Sequence, residues 1–266
     1  SVMKKAMVER LKKVYRQEWF AENGESFPVR VFLLKDEVTV GLDTTGESLH
    51  KRGYRKMSVQ APIAENLAAA LLTPWKKHRI LVDPFCGSGT FPIEAAMMAA
   101  NMAPGMNREF SAMTWEHVAG KRVWYDTLEE AREMVDLTVE TDIQGFDIDE
   151  NALAAARENA RLAGVDGLIH FQKRDVDMLS HGKKYGFIIT NPPYGERLEE
   201  ADLPSLYTTL GKRFALLDSW SLYMISSYEH VERDMGRKAD KNRKIYNGMM
   251  KAYYYQYIGP KPPARP

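Results

Sequence analysis

The chain has 266 residues, 44% of them apolar, one cysteine and a net charge of +1. An internal disulfide and a cysteine-built zinc cluster are excluded, and nucleic-acid affinity would have to come from local patches rather than overall charge. No apolar run reaches membrane-span length and no signal peptide opens the sequence, so the expectation is a cytoplasmic protein, without metal or membrane, made of one large domain or one plus a fragment.

Residues 1–20 read as a helix with Val8, Leu11, Val14 and Tyr15 on one face. Val29–Leu34 and Glu37–Leu42 alternate as strands, with Lys35-Asp36 as a hairpin turn. Gly46–Lys56 is an irregular basic connector, and Pro62–Leu72 is a helix. From there helix and strand alternate, which predicts a largely parallel α/β sheet. Ile80-Leu81-Val82 is a short buried strand. It runs into Asp83, Pro84, Phe85, Cys86, Gly87, Ser88, Gly89 and Thr90, with a helix from Thr90 onward. Two glycines between strand and helix let the backbone approach a ligand closely. Pro92 stands where GxGxxG would carry its third glycine, which disfavours pyrophosphate. Cys86 reads as a small packing residue in this loop rather than a nucleophile.

Residues 101–127 are an insertion rich in Met and Trp before a helix over 128–141, and the overlapping Met-rich stretch 97–113 reads as core ahead of a cofactor lid or a partner surface. Ile143–Asp149 is a strand ending in acid. Asp149 suits the N-cap of a helix Glu150–Ala163, while Asp147, at the strand's C-terminal edge, is either a ligand acceptor or a plain helix cap. Leu168–Gln172 is a further strand leading to Asp175 and Val176, where Asp175 is either a ligand acceptor or a surface turn acid. Lys183–Thr190 is the next strand and ends in Asn191, Pro192, Pro193 and Tyr194. Two prolines fix φ and donate no hydrogen bond, and the first pushes Asn191 out of the α region. The stiff turn offers Asn191 Oδ1 and the Pro192 carbonyl as two acceptors for an amino group, with the Tyr194 ring beside them. Glu196 and Arg197 read equally as loop-fixing or substrate-facing. A helix Leu203–Leu217, a strand Ser221–Ser226 and a closing antiparallel hairpin over 242–258, turning at Asn247-Gly248, complete the pattern, with a loose Pro-rich tail from Gly259.

Three basic patches interrupt the neutral background. Lys4, Lys5, Arg10, Lys12, Lys13 and Arg16 crowd the first helix. Lys51, Arg52, Arg55 and Lys56 surround Tyr54. Arg237, Lys238, Lys241, Arg243 and Lys244 precede the hairpin turn. Lys51, Arg52, Tyr54, Arg55, Arg197, Lys241 and Arg243 are the candidates for substrate contact, combining backbone charge with one stacking ring.

The Asp83–Thr90 loop resembles the S-adenosylmethionine loop of class I methyltransferases. Asn191–Tyr194 resembles the (Asn/Asp)-Pro-Pro-(Tyr/Phe) motif of those that modify amino or amide nitrogens. Together with His50–Arg55, Ala61–Ala70, Gly145–Leu153, the segment after Asn191, and Gly236–Lys244, the chain resembles the THUMP-associated RNA methyltransferases. Within them it is most similar to the bacterial large-subunit ribosomal RNA guanine-N2 group, whose members have often carried the label N6-adenine-specific DNA methylase. The resemblance implies a class I, Rossmann-like α/β sheet, mostly parallel with an antiparallel closing hairpin. It implies S-adenosylmethionine as cofactor, leaving as S-adenosylhomocysteine, and RNA, ribosomal by preference, as partner. Asp147 would take the ribose hydroxyls, Ile148 would lie on the adenine and Asp175 would accept its amino group. The family carries a THUMP region upstream, so residues 1–50 would be the end of that region and 51–266 the methyltransferase domain. Guanine N2 and adenine N6 present the same amino group to these acceptors. DNA adenine methylation and protein glutamine methylation are the rival enzymatic readings, and an RNA-binding scaffold without activity is the non-enzymatic one. No oligomeric state follows from the sequence.

Overall fold

The computed structural model describes residues 2–56, 63–193 and 201–263. The chain divides into two compact units, Ser1–Glu47 with Phe110–Trp124, and Ser48–Glu109 with Tyr125–Pro266. In the first, helix α1 (Val2–Tyr15) buries none of its residues, so its apolar stripe faces outward. Strands β1 (Val29–Leu34) and β2 (Glu37–Leu42) pair as a hairpin whose turn, Lys35-Asp36, has φ of 50° and 62° at its two residues. Trp115 anchors this unit. It is buried, stacks on Phe27 at 4.9 Å and donates from Nε1 to the Ser26 carbonyl at 2.8 Å. The insertion therefore carries packing residues for the unit that holds the hairpin.

The second unit is built on a seven-stranded sheet in the order β5-β4-β3-β6-β7-β9-β8. Its parallel strands are β3 (Leu81–Asp83), β4 (Ile143–Asp147), β5 (Ile169–Lys173), β6 (Phe187–Thr190) and β7 (Ser221–Ser226). Strands β8 (Lys241–Asn247) and β9 (Met250–Tyr257) close it antiparallel. This is the expected class I methyltransferase architecture. The central strands read as unbroken apolar runs because both faces are covered. Successive residues serve opposite cores: Leu81, Ile189 and Ile225 pack with Phe91 and Ile93, whereas Val82, Ile188 and Met224 pack with Tyr207 and Leu210. The first core lies under α2 (Glu65–Leu71), α3 (Thr90–Ala99) and α5 (Glu150–Ala163), and the second under α6 (Leu203–Ala215) and the short α7 (Val231–Asp234). From β3 the chain steps outward to β4 and β5, then returns to β6 on the other side of β3. The crevice between the C-terminal ends of β3 and β6 is thus the topological switch point, where ligands of such sheets bind.

Three expectations are corrected. The helix expected over 128–141 is α4, Lys121–Glu133. It stops early because Asp136 Oδ1 accepts from both the backbone N–H and the hydroxyl of Thr138, offering the chain a local turn instead. Of the Met-rich stretch, Met97 is buried but Met98 is 46% exposed. The closing hairpin turns one residue later than expected: Asn247 pairs with Met250, leaving Gly248-Met249 as the loop, with Gly248 at φ 62° as a type II′ turn requires.

Candidate active site

Two loops and one acid meet at the switch point. Gly87 (φ 53°) and Gly89 (φ 87°) hold left-handed conformations, and Gly89 caps α3 from that state. The loop is pinned from strand β4 and helix α5. Cys86 N–H donates to the Phe146 carbonyl at 2.9 Å, and Gly87 N–H donates to Asp147 Oδ2 at 2.9 Å. Asp147 Oδ1 accepts from Asp149 N–H at 3.0 Å. The buried Asn159 amide donates to the Ser88 carbonyl at 3.1 Å. Asp147 therefore ends β4 with both oxygens engaged by backbone donors at the rim of the loop, while Asp149 caps α5 by accepting from Asn151 N–H.

Asp83 ends β3, is 1% exposed, and accepts from Thr190 Oγ1 at 2.5 Å and Phe85 N–H at 3.2 Å. It ties the end of β3 to the end of β6, one residue before Asn191. Burial pushes its carboxyl up to about 7, against the two hydrogen bonds that favour the ionised form. Its folded pKa exceeds the unfolded value of about 3.9, so the folded state holds the extra proton between those values. The resulting stability is fully present below the unfolded pKa and is lost as pH rises through 7. Against Asp83→Asn, wild type should lose about 2 kcal/mol more between pH 5 and pH 8 in urea unfolding; parallel pH profiles would contradict it.

Asn191 is 7% exposed, and its Oδ1 is buried with no hydrogen-bond partner among the described residues. A buried acceptor left open costs on the order of 1–3 kcal/mol, so its position at the switch point calls for a donor from a ligand. Pro192 is buried beside it. Tyr194 and Arg197 lie outside the described residues. Of the loop, Pro84, Cys86, Ser88 and Thr90 are buried and Phe85 and Gly87 are half-buried. Burial pushes the Cys86 thiol well up, as suits a packing residue. Ile148 is 62% exposed at the rim, free to lie against a planar ring. Asp175 caps the turn Val176–Met178 by accepting from Asp177 N–H at 2.9 Å, and the Val176 side chain packs into the second core. This chain's residues thus fit an adenosine-type cofactor: an open glycine turn, an acid at the next strand end and an exposed aliphatic beside it.

Most of the middle basic patch is turned inward. The Tyr54 ring is 2% exposed in the core, and its hydroxyl donates to Glu94 Oε1 at 3.0 Å. Arg52 Nη2 lies 3.5 Å from Glu94 Oε2, and Arg55 Nε lies 3.0 Å from Glu65 Oε1. Arg55 Nη2 also donates to Thr90 Oγ1 at 2.7 Å, so this segment braces the start of α3. Tyr54 cannot stack on a base, and Arg52 and Arg55 are turned inward. Only Lys51 of the four candidates there is exposed. The missed partners were Glu65 and Glu94, and Glu94 left a signal, as the one charge in the otherwise apolar helix α3. Tyr54→Phe should cost about 1.5–3 kcal/mol of stability, read by urea unfolding; unchanged stability would contradict this placement. Lys241 and Arg243 are exposed on β8.

The UPF0020 family model, described as RMKL-like, methyltransferase domain, matches residues 52–256. A Bacillus subtilis (strain 168) protein named "Putative RNA methyltransferase YpsC" is 44% identical over 99% of this chain and 70% of its own length. The "Ribosomal RNA large subunit methyltransferase K/L" of Syntrophotalea carbinolica is 41% identical over 81% of this chain. The chain spans 32% of that protein. A crystal structure of "SMU.472, a putative methyltransferase complexed with SAH" superposes with a TM-score of 0.89 at 41% identity, covering 98% of this chain and 70% of that one.

Proposed function

The chain belongs to the RMKL-like methyltransferase family, whose class I fold uses S-adenosylmethionine, and from that premise we propose that it methylates an exocyclic amino nitrogen of a base in RNA. Guanine N2 of large-subunit ribosomal RNA is the target we assign, with residues 1–50 as the end of a THUMP-like region. The observation that carries this reading is the buried Oδ1 of Asn191 at the switch point, without a partner among the described residues. The names of the relatives support RNA as substrate.

When bound, the cofactor supplies an electrophilic methyl group. The protein's task is to prepare the nucleophile, because an exocyclic amine's lone pair is delocalised into its base. Asn191 Oδ1 and the Pro192 carbonyl accept the two amino hydrogens. That favours a pyramidal nitrogen, aims its lone pair along the line of displacement and stabilises the positive charge that develops on it. Tyr194 is assigned the stacking ring, worth roughly 1–3 kcal/mol per base. The product ammonium is strongly acidic and loses its proton to water, so no general base is assigned. Asp147, Ile148 and the Gly87–Gly89 turn would hold the cofactor, Asp147 at its ribose and Ile148 at its adenine.

The reading is tested by labelled-methyl transfer from S-adenosylmethionine to undermodified ribosomal RNA, with unmethylated DNA in parallel. Label in RNA is expected. Label only in DNA would keep the nitrogen chemistry and overturn the substrate.

A further inference from the structure

The closing hairpin carries a feature that cofactor binding and methyl transfer leave unused. In its register Lys244 lies opposite Tyr253, and Tyr246 lies opposite Lys251. Residues opposite each other, and residues two apart, share a sheet face. Cations and rings therefore alternate along both strands on one face. The ammonium of Lys244 is 5.3 Å from the Tyr246 ring centroid, and that of Lys251 is 5.3 Å from the Tyr253 centroid. Lys241 and Arg243 lie on the opposite face.

The hairpin's placement gives this pattern a use. Strand β9 runs antiparallel to β7, with Tyr253 opposite Ser226, the last residue of β7. Met250–Tyr253 and their partners on β8 therefore stand at the C-terminal edge of the parallel strands, the edge that carries Asn191. From Tyr253 the strand continues three residues to Met250, roughly 10 Å beyond the end of β7. Strand β8 is three strands from β6, about 14 Å across the sheet. That is a few nucleotides from a base held at Asn191. Contact within the hairpin accounts for the lysine–tyrosine pairs, but not for a Tyr246 ring left 56% exposed or a tip residue, Met249, left 98% exposed.

We infer that the face bearing Lys244, Tyr246, Lys251 and Tyr253 holds a single-stranded RNA segment flanking the target base, the exposed Tyr246 ring stacking a base and the lysines meeting phosphates. Alternating rings and cations suit unpaired bases, because each base offers a π-face only when it leaves its partner. A target amine must leave its pair in any case. The inference rests on the RNA-methylation reading for its occupant, and on the register and exposure for its place.

Fluorescence anisotropy of the full chain with fluorescein-labelled U12 and with a labelled 12-base-pair DNA duplex tests it. Tyr246→Ala should weaken U12 binding roughly 5- to 100-fold without changing the salt slope, and Tyr246→Phe should restore it. Lys244→Ala with Lys251→Ala should flatten the slope of log Kd against log salt by about 1.4, at about 0.7 per lost phosphate contact. The pair Lys76→Ala/Lys77→Ala, on the opposite edge of the sheet, should bind U12 as wild type does. Affinity for S-adenosylhomocysteine should be unchanged in every variant, which reads folding. Wild-type binding by Tyr246→Ala, an equal loss in the Lys76/Lys77 pair, or preference for the duplex would overturn the proposal. The two readings fail separately: U12 held through Tyr246 with no methyl transfer to RNA sinks only the reaction, and transfer with Tyr246→Ala binding unchanged sinks only the hairpin.

Discussion

Asn191→Ala is expected to slow methyl transfer by on the order of 10²–10³, the usual cost of removing one preorganised charge-stabilising group, while S-adenosylhomocysteine affinity stays unchanged. The split follows from the geometry. Asn191 contributes a buried acceptor with no partner among the described residues, so alanine leaves no donor among them unsatisfied. What is lost is one of the two proposed acceptors for the substrate amine, and with it the proposed alignment and charge stabilisation of the nitrogen. Asn191→Asp retains an acceptor oxygen and should lose less. Single-turnover transfer to undermodified ribosomal RNA, with cofactor affinity by calorimetry, separates the two effects. Turnover near wild type in Asn191→Ala would remove the nitrogen-orienting role.

The complementary result is expected at the neighbouring strand end. Asp147→Ala should raise the Kd for S-adenosylhomocysteine by on the order of 10²-fold, because hydrogen bonds to a charged group contribute roughly 1.5–3 kcal/mol each. Two losses combine there. The proposed ribose acceptor goes, and so does the acceptor for Gly87 N–H, which ties the glycine turn to β4. Asp149 continues to cap α5, so the helix itself should persist. Transfer at saturating cofactor should recover most of its wild-type rate. An unchanged Kd would take Asp147 out of the cofactor site.

Local signals carried much of this arrangement into the sequence. Apolar runs of three to six residues marked the buried strands, and helix Glu150–Ala163 was legible at both ends because Asp149 caps it and Gly164 closes it at φ 73°. The glycine turn after β3 and the proline pair after β6 each marked where a strand stops and a loop is held stiffly. Their meeting at one crevice is a matter of strand order, which the alternation of strand and helix leaves open and the fold supplies by making β3 and β6 neighbours where the order reverses.

What stayed hidden depended on partners distant in the chain. Lys51–Lys56 looks like a solvated patch because charge runs usually are. Arg52 and Tyr54 turn inward only because Glu94, some forty residues on, waits inside the fold. Asp83 reads as one loop residue among eight until Thr190 is placed against it. On the hairpin, composition showed a basic cluster. Only the register separates Lys241 and Arg243 from the Lys244 and Tyr246 face, since a single residue of slip exchanges the two faces.

The central claim is that the acceptor atom is an exocyclic amino nitrogen held by Asn191. The measurement that tests it most directly is digestion of labelled ribosomal RNA product to nucleosides, with mass spectrometry of the labelled one. N2-methylguanosine is the expected product. Label on a ring carbon or on a ribose hydroxyl would contradict it, because neither presents two hydrogens to Asn191 Oδ1 and the Pro192 carbonyl.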